Sequence, residues 1–217
     1  MIIDTNQITT NQIVHLQADK VATVIRYISP INPAGAKTVK EPEARALAAA
    51  GIKLGLVCEG WGDFAHGGIS AGAGERDGEF CFNYVPTIGA PNAGACVFFA
   101  VDTDAGPSQI NKLVLPYFAS IKQSFSPADA VRSLQVGVYG SGDVCAAVIG
   151  AGLADLAWLS CSLGWSGSRA YLASKPKELV LMQHVPTRVA NMDCDPDDSL
   201  GDFGDFIPFF NPPTLAS

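Results

Sequence analysis

The amino-acid sequence predicts an α/β fold, a closed (β/α)8 TIM barrel with shortened helices in its C-terminal half. Eight short apolar runs are separated mostly by helix-like segments, and this alternation is typical of a parallel sheet covered by helices. Polar or aromatic residues follow the ends of the runs and are almost absent from their beginnings, as in barrels whose chemistry lies at the C-terminal ends of the strands. The 217 residues are few for this fold, which typically has about 250.

Strand and helix candidates alternate in the first half of the chain. The strand candidates, rich in apolar and β-branched residues, are 1–4, 21–28, 53–60 and 95–102. The helix candidates are 7–19, 41–51, 75–85 and 108–125. A kink or break is expected at Pro116 in the last of these helices. The glycine-rich segment 61–75 is predicted to be a loop.

The second half of the chain keeps the strands but loses helices. Its strand candidates are 134–141, 156–162, 179–185 and 189–195. Only 142–152 is predicted to form a helix between them, so the helices after the sixth and seventh strands must be truncated. The aromatic and proline-rich tail, 203–217, is expected to pack over one end of the barrel.

An open doubly wound sheet is the alternative fold for the same alternation. The dinucleotide-binding form of that sheet needs a GxGxxG loop after its first strand, and the sequence has none there. No internal repeat and no low-complexity linker divides the chain. We therefore expect a single barrel domain over residues 1–217.

The charge balance argues against a nucleic-acid partner. The net charge is −7, and the 14 lysines and arginines are scattered, whereas phosphate contacts need basic clusters. No apolar run approaches the ~20 residues that cross a bilayer, so no membrane span is expected. The first residues lack the basic and apolar regions of a signal peptide. We expect a protein that is cytoplasmic at synthesis, with any export by a non-classical, phage-lysis or contact-dependent route.

The six cysteines show neither a CxxC pair nor the Cys/His spacing of a metal site. Several lie inside apolar runs, where a free thiol packs as a small hydrophobic group. We expect mostly reduced, buried thiols, although the even number would permit disulfides in an exported protein. No metal and no cofactor is expected, since the chain also lacks HExxH and phosphate-loop motifs.

Carboxylates at the ends of the strand candidates are the first candidates for chemistry. They are Asp4, Glu59, Asp102, Asp104 and Asp193. Side chains alternate along an extended strand, so Asp102 and Asp104 should both point into the barrel mouth, above Phe98 and Ala100. Aromatic and amide side chains on three further strands are predicted to line the same pocket. They are Tyr139, Trp158 and Gln183.

Several of these residues also have a purely structural explanation. Asp4 and Asp104 precede helix candidates and could serve as N-caps. Trp158 could be an ordinary core residue, and Gln183 could satisfy backbone groups. His66, in the glycine-rich loop, is more readily explained as a bystander than as a catalyst. Two further acids are expected to be solvated loop residues, namely Asp197 and Asp198.

Cleavage of a glycosidic bond is the chemistry that this composition suits. One protonated carboxyl group donates to the leaving oxygen, and a second carboxylate stabilises the oxocarbenium-like centre or activates water. Crowded carboxylates raise each other's pKa, which keeps one of them protonated. No GxSxG motif points instead to a serine nucleophile.

Eight short segments of the sequence, taken in chain order, resemble a glycoside-hydrolase-like TIM-barrel family. That family was once labelled only as a domain of unknown function, and it is related to the family-25 lysozymes. The resemblance covers about residues 1–196 and is carried by “IIDT”, “VIRYIS”, “KLGLVCE”, “VFFAVDTD”, “VGVYGS”, “LAWLS”, “LMQ” and “MDCD”. It implies an acidic site with an aromatic and amide lining. The matching acids are Asp4, Asp102, Asp104 and Asp193. The matching pocket residues are Tyr139, Trp158 and Gln183.

The resemblance implies a hydrolase of bacterial cell-wall peptidoglycan that cuts a β-linked amino-sugar chain as a lysozyme does, with the cell-wall glycan as its partner. Asp102 and Asp104 would be the acid and its partner. Asp4 and Asp193 would orient or stabilise. The lysozymes have Glu where Asp104 stands, so this carboxyl is one methylene short, and we expect Glu59 to compensate.

Two other functions stay open for the same residues. A catalytically inactive barrel that binds cell-wall glycan would keep the cleft, and Asp104 in place of Glu favours it. A metal-dependent hydrolase of another bond would use the acids as ligands for a hard cation. An immunity or secretion partner is compatible with a wall-active protein, and the sequence identifies none.

Overall fold

A closed eight-stranded barrel forms the centre of the molecule in the computed structural model, which describes residues 1–126 and 131–210. The strands are β1 Ile2–Thr5, β2 Thr23–Ile28, β3 Lys53–Cys58, β4 Ala93–Ala100, β5 Ser133–Gly140, β6 Leu156–Leu159, β7 Leu179–Gln183, β8 Thr187–Val189 and β9 Met192–Ser199. The short β8 pairs only with β9, and β9 pairs with both β7 and β1, which closes the sheet. The predicted α/β barrel is therefore confirmed.

Helices cover the outside of the barrel. They are α1 Ile13–Ala18, α2 Glu41–Ala49, α3 Ala71–Tyr84, α4 Leu115–Ser124, α5 Gly142–Gly150 and α6 Ser168–Ser174. Pro116 stands in the first turn of α4, where its missing N–H costs little, and a π-helical turn at Ile110–Val114 precedes that helix. In the described part of the chain, no helix is long and apolar enough to cross a membrane.

The last barrel strand departs from the predicted all-parallel order. β9 runs antiparallel to both β7 and β1. The segment 184–191 that joins β7 to β9 is shorter than the dozen or so residues that a parallel crossover needs, so the chain turns back directly through the hairpin with β8. Because of this reversal, β9 begins at the rim where the other barrel strands end.

Side chains alternate between an inner and an outer core along β4. Phe98 and Ala100 belong to the inner core, inside the barrel, as predicted. Phe99 and Val101 belong to the larger core between the sheet and the helices. The strand itself ends at Ala100, so this alternation does not extend to the acids that follow.

The middle of the barrel is closely packed because Gly137 lets an aromatic ring cross it. A Cβ at position 137 would lie 2.7 Å from Cε1 of Phe98, and closer still to Cδ1. Phe98 packs edge-on against Trp158, with ring centroids 5.7 Å apart. The rings of Phe98 and Trp158 therefore fill the barrel at this level.

The described part of the C-terminal tail closes the opposite end of the barrel. Phe206 forms an antiparallel bridge with Leu54, with N–H···O distances of 2.7 and 3.0 Å. Phe203 joins the inner core at the same end. Residues 211–217 of the predicted tail lie outside the described residues.

The six cysteines are all free, and five of them are buried. Burial raises the pKa of Cys58, Cys96 and Cys145, so these thiols stay protonated at neutral pH. Cys161 is half-buried and lies at the rim.

A buried ion pair fixes the connection between β2 and α2. Arg26 is fully buried, and its Nε lies 2.8 Å from Oε1 of Glu43 on α2. The guanidinium also donates to the carbonyls of Thr5, Ala36 and Lys37. One side chain thus ties the end of β1, the β2–α2 loop and α2 together. Loss of either charged partner would leave the other buried and unpaired, which is costly.

The contact between Gly137 and Phe98 predicts a large effect of one methyl group. Gly137→Ala should lower the free energy of unfolding by about 1–3 kcal/mol, because the new Cβ overpacks the barrel. Gly150→Ala in α5 is the matched control, because no atom lies within 4 Å of its Cβ position. It should leave stability unchanged or raise it by up to about 1 kcal/mol. Urea unfolding measures both, and a Gly137→Ala protein as stable as wild type would contradict this packing.

Candidate active site

A cleft of about 190 Å³ opens at the rim where β1–β7 end and β9 begins. Among the predicted site residues, those that line it are Glu59, Asp102, Tyr139, Trp158 and Gln183. Lining residues that were not predicted include Tyr27, Trp165 and Asp195. Larger hollows occur elsewhere on the surface. The one between α6 and the start of β7, about 720 Å³, is lined without any carboxylate, and two beside α3 are lined by Glu75 and Glu79.

Asp4 lies directly beneath this cleft and is only 1% exposed. Its Oδ1 accepts a hydrogen bond from the Tyr27 hydroxyl at 3.0 Å, and its Oδ2 accepts one from Nε2 of Gln183 at 2.9 Å. The same Nε2 donates to Oδ2 of Asp195 at 3.2 Å. One amide nitrogen therefore joins carboxylates from the first and the last barrel strands.

The oxygen of the same amide is also fully engaged. Oε1 of Gln183 accepts from the Tyr139 hydroxyl at 2.8 Å and from the backbone N–H of Cys161 at 3.3 Å. These four bonds use the whole donor and acceptor capacity of a glutamine side chain. Its orientation is fixed, because a reversed amide would set its oxygen against two carboxylates.

Burial raises the pKa of Asp4 to about 7. The hydrogen bond from Gln183 opposes this rise, the charge of Asp195 adds to it, and the hydrogen bond from Tyr27 opposes it. Desolvation disfavours the ionised carboxylate more than the two donors favour it. Asp4 therefore holds a proton in a large share of molecules at neutral pH.

The two acids that line the cleft beside Asp4 also have raised pKa values. Partial burial raises the pKa of Asp102, against the opposing charge of Lys37 and with the support of Asp63. Partial burial, followed by the charge of Asp102, raises the pKa of Asp195. Each carboxylate thus makes ionisation of its neighbours less favourable.

Asp197 is not the solvated loop acid that was expected. It lies on β9, is 6% exposed, and neither of its oxygens has a hydrogen-bond partner within the described residues. Burial and then the charge of Asp4 raise its pKa well above the usual range. Asp198, the next residue, is exposed and pairs with His184 as a surface acid.

Asp193 lies beyond the rim and does not line the cleft. Its carboxylate is exposed, 3.4 Å from Nε2 of Gln7 and 3.8 Å from Nε of Arg188. The reversal of β9 explains this position, because the strand starts at Met192 and only its later residues enter the barrel. Asp195, two residues further along on the same face, occupies the place that was expected for Asp193.

Glu59 lines the cleft as an ion pair with the ammonium group of Lys37. The same ammonium lies 4.6 Å from the centroid of the Tyr27 ring. Tyr27 could have been found from the sequence, because it shares a face of β2 with the inner residue Ile25. Lys37 comes from a loop without periodicity, so nothing in the sequence pattern pointed to it.

Two aromatic residues form the floor of the cleft. Trp158 is 1% exposed and packs edge-on against Tyr139, with ring centroids 4.8 Å apart. Most of the Trp158 ring therefore belongs to the inner core. Tyr139 also connects this floor to the acid cluster, because its hydroxyl donates a hydrogen bond to Gln183.

The expectation that Asp104 points into the mouth is wrong, because its carboxylate is bound elsewhere. Oδ1 accepts the backbone N–H of Ser166 at 2.9 Å, and Oδ2 accepts the Ser166 hydroxyl at 3.3 Å. β4 ends before Asp102, so residues 102 and 104 no longer share a face. Asp104 is not an N-cap either, since Gly106 has that place in the following helical turn.

The glycine-rich loop after β3 is attached to the segment that follows β4. The carbonyl of Gly62 accepts the backbone N–H of Asp102 at 2.7 Å. Trp61 is about half exposed in this loop, and its ring lies 5.0 Å from that of His66. His66 is not among the residues that line the cleft.

Within residues 1–126 and 131–210, no group of three His, Cys, Asp or Glu side chains is arranged to hold a metal ion. The amide of Gln183 instead joins Asp4 to Asp195, and the Tyr27 hydroxyl donates to Asp4. This arrangement can donate a proton near neutral pH and can stabilise positive charge in the cleft.

A family model described as the Rv2525c-like, glycoside hydrolase-like domain matches residues 14–185. The chain belongs to this family. In this Rv2525c-like domain, the match includes Tyr27, Asp102 and Gln183, whereas Asp4 and Asp195 lie on either side of the matched region.

Relatives and solved structures agree with the barrel. The uncharacterized protein YbfG of Bacillus subtilis is 30% identical over 102 residues, which are 45% of this chain and only 14% of that protein. The Tat-secreted protein Rv2525c of Mycobacterium tuberculosis, crystallised with HEPES, is 20% identical with a TM-score of 0.75 over 94% of this chain and 97% of that one. Its complex with L-tartrate gives a TM-score of 0.72 at the same identity and coverage. An uncharacterized B. stearothermophilus protein gives 0.59 at 15% identity over 93% of this chain and 97% of that one.

The raised pKa of Asp4 in this Rv2525c-like domain predicts a pH dependence of stability. The folded protein keeps the Asp4 proton up to about pH 7, whereas the unfolded chain releases it near the ordinary aspartate pKa of 3.8. The stability that Asp4 contributes is therefore fully present below about pH 4 and is lost as the pH rises through 7, a change of roughly a few kcal/mol.

Asp4→Asn should remove this part of the pH dependence, whatever it does to absolute stability. Urea unfolding at several values between pH 4 and pH 8 measures the slope. Glu75→Gln, which changes an exposed acid on the outer helix α3, should keep the wild-type slope. Parallel curves for wild type and Asp4→Asn would contradict the proton on Asp4.

Proposed function

We propose that this protein is a glycosidase that cuts a β-linked amino-sugar chain of bacterial cell-wall peptidoglycan, as a lysozyme does. The family is glycoside hydrolase-like, and this narrower activity is an inference from the site. The observation that carries the proposal is the group of carboxylates with raised pKa values around one narrow cleft. Glycosidic cleavage needs one protonated carboxyl and a second carboxylate, and crowding with burial supplies that difference.

Asp102 is our candidate proton donor. It stands at the open edge of the cleft, where a leaving oxygen can reach it, and partial burial raises its pKa. Asp195 is our candidate for the second carboxylate, which stabilises the positive centre or activates water. Gln183 holds Asp195 at 3.2 Å, so the group cannot swing away from the cleft.

The remaining acids have supporting roles in this proposal. Asp4 accepts a hydrogen bond from Gln183 and so fixes the orientation of that amide. Its raised pKa also lets it hold a proton near neutral pH. Glu59 is an auxiliary acid whose charge is balanced by Lys37. Asp193, outside the cleft, has no part in the reaction.

Sugar binding would fall to the aromatic and hydroxyl groups of the cleft. Tyr139 and Trp165 line it with aromatic carbon, and Ser160 and Ser162 line it with hydroxyl groups that can pair with sugar hydroxyls. Such a mixture of a few polar groups on an apolar surface is typical of small-ligand sites.

A barrel that binds cell-wall glycan without cutting it is the second candidate. The observation that favours it is the position of Asp104, which stands where the lysozymes carry their donor Glu but holds Ser166 instead. In that case the cleft would keep its affinity, and no soluble fragment would appear.

Export to the cell wall belongs to the same proposal. Rv2525c, with which this chain shares its fold, is described as Tat-secreted. We propose that this protein also acts outside the cytoplasm, as one barrel domain that meets its glycan there.

The test is the release of reducing ends from purified peptidoglycan. Asp102→Asn should lower the rate by about 10²–10⁴-fold, because the amide keeps the size of the side chain but cannot donate the proton. Asp198→Asn, which removes an exposed acid outside the cleft, should release fragments at the wild-type rate.

The outcomes separate the two candidates. Equal release by wild type and Asp102→Asn would exclude this assignment of the proton donor. Saturable binding of the wild type to insoluble cell wall, with no soluble fragment at any pH between 4 and 8, would favour the binding barrel.

A further inference from the structure

The carboxylate of Asp104 holds a loop that forms one wall of the cleft. That loop, 160–167, joins β6 to α6 and carries Trp165, which lines the cleft. Both oxygens of Asp104 accept hydrogen bonds from Ser166, the residue that follows Trp165 in the chain. Bonds from an ionised acceptor to a backbone N–H and a hydroxyl are among the stronger hydrogen bonds.

A second anchor holds the same loop from the other side. The backbone N–H of Asp143, at the start of α5, donates to the carbonyl of Ser166 at 3.0 Å. A Cβ on Gly142 would overlap the backbone of Gly167, so helix and loop are in direct contact. The residue after Trp165 is therefore clamped between α5 and the segment that follows β4.

We propose that Asp104 is a positioning residue that fixes Trp165 as a stacking surface for a sugar ring at the cleft wall. The sugar as ligand rests on the proposed function, whereas the positioning of Trp165 does not. The half-buried Trp165 ring is the aromatic group of the cleft that is not already packed into the inner core, unlike Trp158 and Tyr139.

The hydrogen bonds argue against Asp104 as the proton donor. Each carboxylate oxygen of Asp104 accepts a hydrogen bond from Ser166, so both oxygens are directed toward the loop. A donor to a glycosidic oxygen needs a protonated oxygen that faces the cleft, and Asp104 does not line it. Its neighbour Asp102 does.

The first experiment needs no glycan. In a Trp61→Phe background, acrylamide quenching reports mainly on Trp165, because the remaining Trp158 is 1% exposed. Asp104→Ala should raise the quenching constant and shift the emission to longer wavelength. Asp202→Ala is the matched control, since that exposed acid accepts the backbone N–H of Gly204 at 3.0 Å at the other end of the barrel. Circular dichroism checks that each variant is folded.

The second experiment is a double-mutant cycle on the affinity for a soluble N-acetylglucosamine tetramer. Asp104→Ala should raise Kd roughly two- to tenfold, the cost of ordering one side chain and its loop at binding. In a Trp165→Ala background the same substitution should change Kd little, because the residue acts through that ring. An equal loss in both backgrounds would overturn the proposal.

Asp104→Asn separates positioning from proton donation. The amide oxygen can still accept the Ser166 N–H, so quenching, affinity and peptidoglycan release should stay within about tenfold of wild type. A proton donor replaced by Asn would lose about 10²–10⁴-fold in rate with unchanged quenching, and that result would overturn the proposal.

The positioning of Trp165 and the binding of a sugar would fail with different experimental results. Unchanged quenching in a folded Asp104→Ala protein would overturn the positioning of Trp165, whatever the glycan results. Increased quenching together with no wild-type affinity for the tetramer and no peptidoglycan release would leave Asp104 as a positioning residue. The same result would exclude a sugar as the ligand of the cleft, and therefore also the proposed function.

Discussion

The side-chain amide of Gln183 is the constraint on which the acid cluster depends. It is 4% exposed and all four of its hydrogen bonds are made, two to carboxylates and two from a phenol and a backbone N–H. A half-satisfied amide in this place would leave a buried polar group without a partner, which is costly. The reversed direction of β9 makes the arrangement possible, because it brings Asp195 to the rim opposite Asp4.

Raised pKa values, rather than ion pairs, characterise the acids of this cluster. In the described part of the chain, no ion pair involves Asp4, Asp102, Asp195 or Asp197. The nearby cations are paired with other acids instead, Lys37 with Glu59 and Arg26 with Glu43. Partial or full burial without a directly paired cation raises the pKa of a carboxyl, and a raised pKa is the condition that a proton donor needs.

The positions of strands could be predicted wherever local pattern and barrel rules agree. The inner and outer faces of β4, and the residues at the ends of β3, β5 and β7, follow from period-two alternation and from the rule that strand ends meet at one rim. The direction of β9 could not be read from its own residues, because it is set by the length of the connection before it. The error on Asp193 follows from that one reversal.

Other differences come from contacts that lie far apart in the sequence. Asp197 resembles a loop acid in its run of aspartates, and only its pairing with β1 and β7 buries it. Lys37 reaches Glu59 because Arg26 holds the carbonyls of its loop. Neither relation leaves a periodic signal, so sequence patterns alone do not reveal them.

The short segment after β4 explains why two acids so close in sequence have different partners. The alternation of side chains between the two faces ends with the strand at Ala100, so the orientation of each later side chain depends on its own contacts. The backbone N–H of Asp102 holds the Gly62 loop, and the carboxylate of Asp104 holds the Ser166 loop. The Ser166 loop carries Trp165, which lines the cleft, so the segment after one central strand supports both an acid and an aromatic residue of the site. A shift of that strand end would therefore act on the Asp102 carboxyl and on the loop of Trp165 at the same time.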